Sequence, residues 1–312
     1  MRLISLYIAF LAVVCGIFWS PASGFAAGKV IAAVMSSDQP RYREAHRAFV
    51  KSLAALGFNS SNTEIILQAP NPDPLSWSNT VRKFNAYRPD MIVAYGAPAA
   101  QVAIKEAEGI PVMVIDFYAS DQPSRGVCGV SSRVPMITLL KTIQDIHPVS
   151  RIGIIYNGQE SGSKSQFNDL KKYAAQLGLK VLGANVASAS AVDAALVSLQ
   201  EKVDLIVATE SCFVYRQLDR IISRARARNI PVVATIPDAA EKGALVSLEI
   251  SPQEQGHLAA DIGVRILQGA RPENLSLVSP KKVDLIINMR VAKDMGVTIP
   301  FPVLGNATRI LK

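Results

Sequence analysis

The chain has 312 residues, 49% of them apolar and 19% charged, with a formal charge of +8. That apolar share supports a buried core and excludes a disordered chain, and the length suits one large domain or two ordinary ones. Three cysteines exclude a disulfide-dense scaffold, and three histidines, none at ligand spacing from another, speak against a multi-histidine metal site.

The first segment reads as an address. Arg2 precedes an apolar run over residues 3–18, followed by Ser20-Pro21-Ala22-Ser23-Gly24-Phe25-Ala26. A short positive region, an apolar stretch and small residues at Gly24 and Ala26 predict a secretory signal over residues 1–26, cut after Ala26. That destination is periplasmic or otherwise extracytoplasmic. A lipoprotein cut before Cys15 fits less well, because a small residue is wanted before the cysteine and Val14 is not small. An uncleaved membrane anchor is the remaining reading. No later stretch approaches the roughly 18 apolar residues of a spanning helix. Export leaves Cys128 and Cys212 where disulfides can form. They fall in different halves of the pattern below, and we expect them unpaired.

From residue 29 strands and helices alternate. Residues 29–35 form a short apolar run, a buried strand by length and β-branched content. Residues 41–56 place Ala45, Phe49, Leu53 and Leu56 at helical spacing, and Gly57 stops the helix. Strands are predicted over 63–67, 90–95, 111–115 and 126–130, and helices over 75–87 and 99–108. The pattern then restarts. Residues 151–156 form a strand and 164–177 a helix closed by Gly178, with further strands over 179–184, 204–208, 231–234 and 243–248. Near-continuous apolar strands between amphipathic helices imply a parallel sheet covered on both faces.

The halves echo each other. Pro89-Asp90-Met-Ile-Val-Ala94 is answered by Val203-Asp204-Leu-Ile-Val-Ala208, and Ile110-Pro111-Val112 by Ile230-Pro231-Val232. Two echoes in the same order suggest two similar α/β lobes. Ligands of open parallel sheets bind beyond the carboxyl ends of the strands. Those ends carry Ser36 and Ser37, then Gly96, Ala97 and Pro98, then Asp116 and Phe117 in the first half. In the second they carry Tyr156 and Asn157, Glu210 and Ser211, and Pro237 and Asp238. Small hydroxyls, amides and single carboxylates suit a small polar ligand. The same residue types also cap helices, so each stands between the two duties.

Catalytic motifs are missing. The chain has no G-x-S-x-G elbow, no phosphate-binding G-x-x-x-x-G-K-[ST] loop, no H-E-x-x-H, no C-x-x-C and no dinucleotide G-x-G-x-x-G after the first strand. We expect no enzyme, no cofactor and no metal. Arg216, Arg220 and Arg224 follow i, i+4 spacing and read as a solvated helix face, so nucleic acid is not expected as a partner.

The ordered set 89–94, 97–101, 110–112, 129–131, 151–157, 202–204, 229–232, 242–245 and 287–288 resembles the ABC-transporter substrate-binding proteins, in the family that includes the tryptophan- and tyrosine-binding lipoproteins. The resemblance spans residues 29 to about 300. It implies a type I periplasmic-binding-protein fold: two Rossmann-like lobes with parallel sheets joined by a three-segment hinge near Ser131, Ile250 and Val278. The lobes would be 27–131 plus 251–278 and 132–250 plus 279–312. It implies a monomeric extracytoplasmic solute-binding component of an importer. The partners would be a small-molecule ligand, such as an amino acid, and inner-membrane permease subunits, with a sensor kinase as the alternative. Gly96, Ala97 and Pro98 and the pair Tyr156 and Asn157 match the family's ligand positions, and Glu160, Ser161 and Ser163 keep its acidic, small-serine turn. Thr209-Glu210-Ser211, Ile236-Pro237-Asp238 and Glu249-Ile250-Ser251-Pro252 depart from it. The last replaces a tyrosine pair, leaving Phe117, Tyr118 and Phe213 as possible aromatic substitutes.

Overall fold

The computed structural model describes residues 28–118 and 127–312. The expected signal, with Cys15 and the Gly24 to Ala26 cut, lies outside the described residues, as does the start of the strand expected from 126.

Two sheets organise the chain. The first has the order β2 (Thr63–Gln68), β1 (Lys29–Met35), β3 (Met91–Tyr95), β4 (Val112–Phe117), β5 (Cys128–Ser131) and β11 (Leu277–Val278). The second has the order β7 (Lys180–Asn185), β6 (Arg151–Tyr156), β8 (Leu205–Ala208), β9 (Val232–Ala234), β10 (Val246–Glu249), β12 (Asp284–Asn288) and β13 (Arg309–Leu311). The first five strands of each half therefore follow one doubly wound order. The repeat extends to side chains. Asp90 accepts from the Val30 N–H (2.8 Å) and Lys29 Nζ (2.7 Å). Asp204 accepts from the Arg151 N–H (2.9 Å), and its other oxygen from Arg151 Nη2 (2.8 Å). Each aspartate ties the start of its own strand to the first strand of its sheet.

The helices form because apolar positions recur every three or four residues, and they cover both faces. Ile31, Ala33 and Met35 point one way, onto Phe49 and Leu53 of α1 (Pro40–Ala55) and Ala259, Ala260 and Ile266 of α8 (Pro252–Leu267). Ala32 and Val34 point the other way, onto Trp77, Val81 and Phe84 of α2 (Pro74–Tyr87) and the alanines of α3 (Ala97–Glu106). This alternation is the period of a strand buried on both sides. Each fully buried large side chain here contributes roughly 1.5–3 kcal/mol. The second sheet is covered in the same way by α4 (Met136–Ile146) and α5 (Ser161–Gln176) on one face, and by α6 (Ala189–Leu199) and α7 (Cys212–Arg226) on the other.

Most element ends fall within a few residues of expectation, and three differences bear on the architecture. Helix α3 begins at Ala97 rather than 99, because Gly96 turns the chain with φ 83° and Pro98 is preset for a first helical turn. Helix α5 begins at Ser161 rather than 164. The second sheet is not wholly parallel: β12 runs antiparallel to β10. The short connector over 279–283 delivers the chain into the second sheet at the end where β10 finishes, so β12 must run away from it. After β12 come α9 (Met289–Asp294), α10 (Phe301–Asn306) and β13.

The chain passes between the sheets three times, after β5, β10 and β11. Gln255 links two of these passages by donating to the Ser131 carbonyl (3.4 Å). No helix among the described residues is long and apolar enough to cross a membrane.

Candidate ligand cleft

In each sheet the strand order reverses beside the first strand, between β1 and β3 and between β6 and β8. Such a reversal leaves a crevice outside the carboxyl ends of the strands. The two crevices face each other. Arg41, Tyr42, Ala97, Pro98 and Tyr118 line one wall, and Glu160, Gly162, Ser163, Gln166, Glu210 and Ser211 the other. The walls lie close, with a cavity of about 10 Å³ between them.

Polar contacts join the walls. Arg41 Nη1 reaches Glu210 Oε1 at 2.8 Å and Asp116 Oδ2 at 3.4 Å. Gln101 Nε2 donates to Ser161 Oγ (2.6 Å), and Tyr118 Oη to Asp169 Oδ2 (2.8 Å). Ser37 Oγ donates to Cys212 Sγ at 3.6 Å, and Tyr42 Oη lies 3.8 Å from the same sulfur.

Arg41 is 5% exposed, in the first turn of α1, with its guanidinium over the Tyr42 ring at 4.6 Å. Burial works against its charge, but Asp116 and Glu210 outweigh that and hold its pKa well above the ordinary arginine value. Burial pushes Glu210 the other way, to about 8, against the pull of Arg41 and helped by Asp116. Asp116 sits inside β4, where the register shifts, with φ 60°. That left-handed backbone is uncommon for a residue other than glycine. Asp116 Oδ1 accepts from Gln255 Nε2 at 3.1 Å, so the same carboxyl group faces both the cleft and the passage between lobes.

Burial without full satisfaction marks this seam. Arg41 Nε and Nη1, Asp116 Oδ2 and Gln166 Nε2 are buried there and lack hydrogen-bond partners. Arg41 Nη1 stands at ion-pair distance from the carboxylates but outside hydrogen-bonding geometry. Buried polar groups ordinarily find partners, so such a cluster needs an explanation.

The expected positions divide. Ala97, Pro98, Ser163, Glu210 and Ser211 line the cleft, and Asp116 touches it through Arg41. Several of these also perform structural duties. Ser211 Oγ caps α7 by accepting from the Phe213 and Val214 N–H groups, each at 3.1 Å. Ser36 Oγ accepts from the Ala99 N–H at the start of α3 (3.0 Å). Ser37 meets Cys212, and Ser161 bridges to Gln101. Gly96 makes the turn, where a Cβ would lie 2.3 Å from Tyr42 Oη. Asn157 hydrogen-bonds within its own turn, to Ser163, Glu160 and Gln159. Glu160 accepts from Ser211 Oγ and from the Cys212 and Phe213 N–H groups, anchoring the start of α7.

Other positions lie away from the cleft lining. Tyr156 shares a strand face with Ile152 and Ile154 and stacks on Phe167, ring centroids 4.1 Å apart. Phe117 is in the core beneath α2 and α3, and Phe213 packs against the α6–α7 core. Asp238 is exposed, in a turn with φ 65°, and its N–H donates to Glu249 (3.0 Å). Arg41, Tyr42, Gly162 and Gln166 line the cleft without having been expected there. A basic residue in a first helical turn opposes the helix dipole, and that anomaly at Arg41 was the available signal.

Cys128 and Cys212 are free buried thiols. His46 is half-buried, with Nδ1 2.9 Å from Tyr95 Oη, and burial lowers its pKa to about 4. Among the described residues no cluster of histidine, cysteine and carboxylate side chains could hold a metal ion.

Two α/β lobes of one topology, with their switch points opposed across a polar seam, define a ligand-binding protein of the periplasmic-binding-protein type. The chain belongs to the ABC transporter substrate binding protein family, whose model matches residues 29–311. It is 24% identical over 262 residues to the tyrosine-binding protein of Clostridioides difficile, covering 80% of this chain and 76% of that one. A conserved domain protein of Vibrio cholerae is similar with a TM-score of 0.85 and 27% identity, over 90% of this chain and 99% of that one. An ABC domain in complex with L-Trp from Streptococcus pneumonia has a TM-score of 0.86 at 22% identity, over 91% and 100% of the chains, a likeness of fold alone.

Proposed function

We propose that this protein is the extracytoplasmic solute-binding component of an ABC importer. It captures a small polar ligand, an amino acid or related compound, between its lobes and hands it to permease subunits in the membrane. The observation that carries this reading is the set of buried, partnerless polar atoms contributed to one seam by both lobes. A polar ligand there would supply the missing partners. The names of the relatives, a tyrosine-binding protein and a tryptophan complex, favour amino acids. Export by cleavage after residue 26 and action as a monomer belong to the same reading.

The lobes, 27–131 plus 251–278 and 132–250 plus 279–312, would part and close about the three passages. A ligand touching both walls favours the closed form only through contacts made there, so affinity and closure are coupled. Gln255, bonded to both Asp116 and Ser131, connects the cleft to that motion.

Thermal-shift screening against amino acids, sugars and small acids tests the proposal. A ligand at one hundred times its Kd stabilises the native state by about 2.7 kcal/mol, a plain rise in Tm. A folded protein that no such solute stabilises would contradict it.

A further inference from the structure

Three buried ionisable groups meet at the seam, one guanidinium against two carboxyl groups. Asp116 and Glu210 share the single guanidinium of Arg41. Neighbouring carboxylates are already answered: Glu160 by the start of α7, and Asp169 by Tyr118 and Arg133. One guanidinium cannot hold two carboxyl groups ionised where water is excluded, because an uncompensated buried charge is costly, so Glu210 keeps its proton until a second cation reaches the seam.

The partnerless atoms say what is missing. Asp116 Oδ2 is an acceptor without a hydrogen-bond donor, and Arg41 Nε and Nη1 are donors without acceptors. Gln166 is fully buried; its Oε1 accepts from the Glu210 N–H and Thr235 Oγ1, while its Nε2 has no acceptor. A molecule that completes this set brings one acceptor group for Arg41 and Gln166, and cationic groups for Asp116 and Glu210. A zwitterion of zero net charge pairs with Arg41 and Asp116 and leaves Glu210 holding its proton, whereas a ligand with a second cation can also pair with Glu210 ionised.

Taking the seam to be the ligand site, as proposed above, we infer that the protein selects a small ligand with one carboxylate and two cationic groups, the chemistry of a basic amino acid. Arg41 is then a tethered stand-in for the ligand's cation. The cavity of about 10 Å³ admits no amino acid, so the lobes must part and Arg41 must leave Glu210 and Asp116 before a ligand takes its place. The freed guanidinium turns to the ligand's carboxylate, a charge-assisted bond that Arg forms well.

Titration calorimetry of the full exported chain with L-lysine, L-glutamine and L-glutamate tests this, because the three are similar in length and differ in charge. L-lysine is expected to bind at least about tenfold tighter than L-glutamine, and L-glutamate weakest of all. Glu210→Gln should bring lysine and glutamine to similar affinity, and Asp116→Asn serves the same purpose if the first variant does not fold. Glutamine or glutamate binding as tightly as lysine overturns the inference, as does a lysine preference retained in both variants. If none of the three binds but a neutral solute raises the Tm, the inference fails and the cleft reading stands. If no solute binds at all, both fail.

Discussion

Phe49 and Arg41 lie on one helix and are almost equally hidden, yet they belong to different interiors. Phe49 is packed among Met91, Ile31 and the small residues of α8, in a core with nothing left to satisfy. Arg41 is buried by the opposing lobe, among groups that lack partners. The first interior is permanent, because its apolar surface has no better place to go. The second is conditional, because water would satisfy its polar groups whenever the lobes part. Stability belongs to the cores and function to the seam.

The largest test of that contrast is Phe49→Ala. Removing a buried ring from a close-packed core costs about 3–5 kcal/mol, read as a lower midpoint in denaturant. Arg41→Ala should cost the lobes far less, because only the seam loses a contact. Equal losses would mean the two interiors are one.

Protonation separates the regions next. Burial holds Glu210 in the cleft and Glu249 at the end of β10 each at about 8. A raised carboxyl pKa contributes stability that is complete below the ordinary glutamate range and is lost as pH rises towards 8. Both residues therefore tilt stability in the same window. Of the two only Glu210 lines the cleft, beside Arg41, Asp116, Tyr42 and Cys212. A cation needs it ionised, so L-lysine affinity should rise by up to about tenfold per pH unit to about 8 and then level off. Glu210→Gln should flatten the affinity profile while the Glu249 part of the stability slope remains. A flat profile in the native protein would contradict the assignment.

A smaller effect concerns the thiols. Cys128 is covered within one lobe, whereas Cys212 is covered across the seam by Ser37 and Tyr42, and burial raises both pKa values to about 11. Ligand should slow alkylation of Cys212 by at least about tenfold and leave Cys128 inert throughout. Equal reactivity of the two would deny the seam its separate motion. The smallest expected effect compares two helix caps. Asp73 accepts from the Ser76 N–H at 2.9 Å away from the cleft, and Ser211 caps α7 inside it. Replacing either by Ala should cost about 1 kcal/mol. Only Ser211→Ala should also weaken ligand binding, measured by calorimetry.

The lobes were legible because their signal is redundant. Apolar runs such as 91–95 and 205–208 can only be buried strands, and the Asp90 and Asp204 echoes proved to be one structural device used twice. The cleft was legible in part. Strand-end position picked out Ala97, Pro98, Glu210 and Ser211, because chain order alone brings those residues to the crevice. Away from the cleft lining it also named Tyr156, half-buried and stacked on Phe167, and Asp238, exposed in a left-handed turn. Arg41 and Gln166 were missed because each resembles the polar face of an amphipathic helix. What distinguishes them is the opposing lobe, and no local pattern encodes a surface more than a hundred residues away.

Small-angle scattering on the exported chain tests most directly whether the ligand is taken between the lobes. With whichever amino acid binds most tightly at saturation, the native protein, already bridged by Arg41, should change little in radius of gyration. Ligand-free Arg41→Ala, lacking the bridge to Glu210, should be more extended than the native protein. That variant should become more compact when the same ligand saturates it; an unchanged radius, in a variant whose Tm the ligand raises, would place the binding site outside the seam and contradict the account.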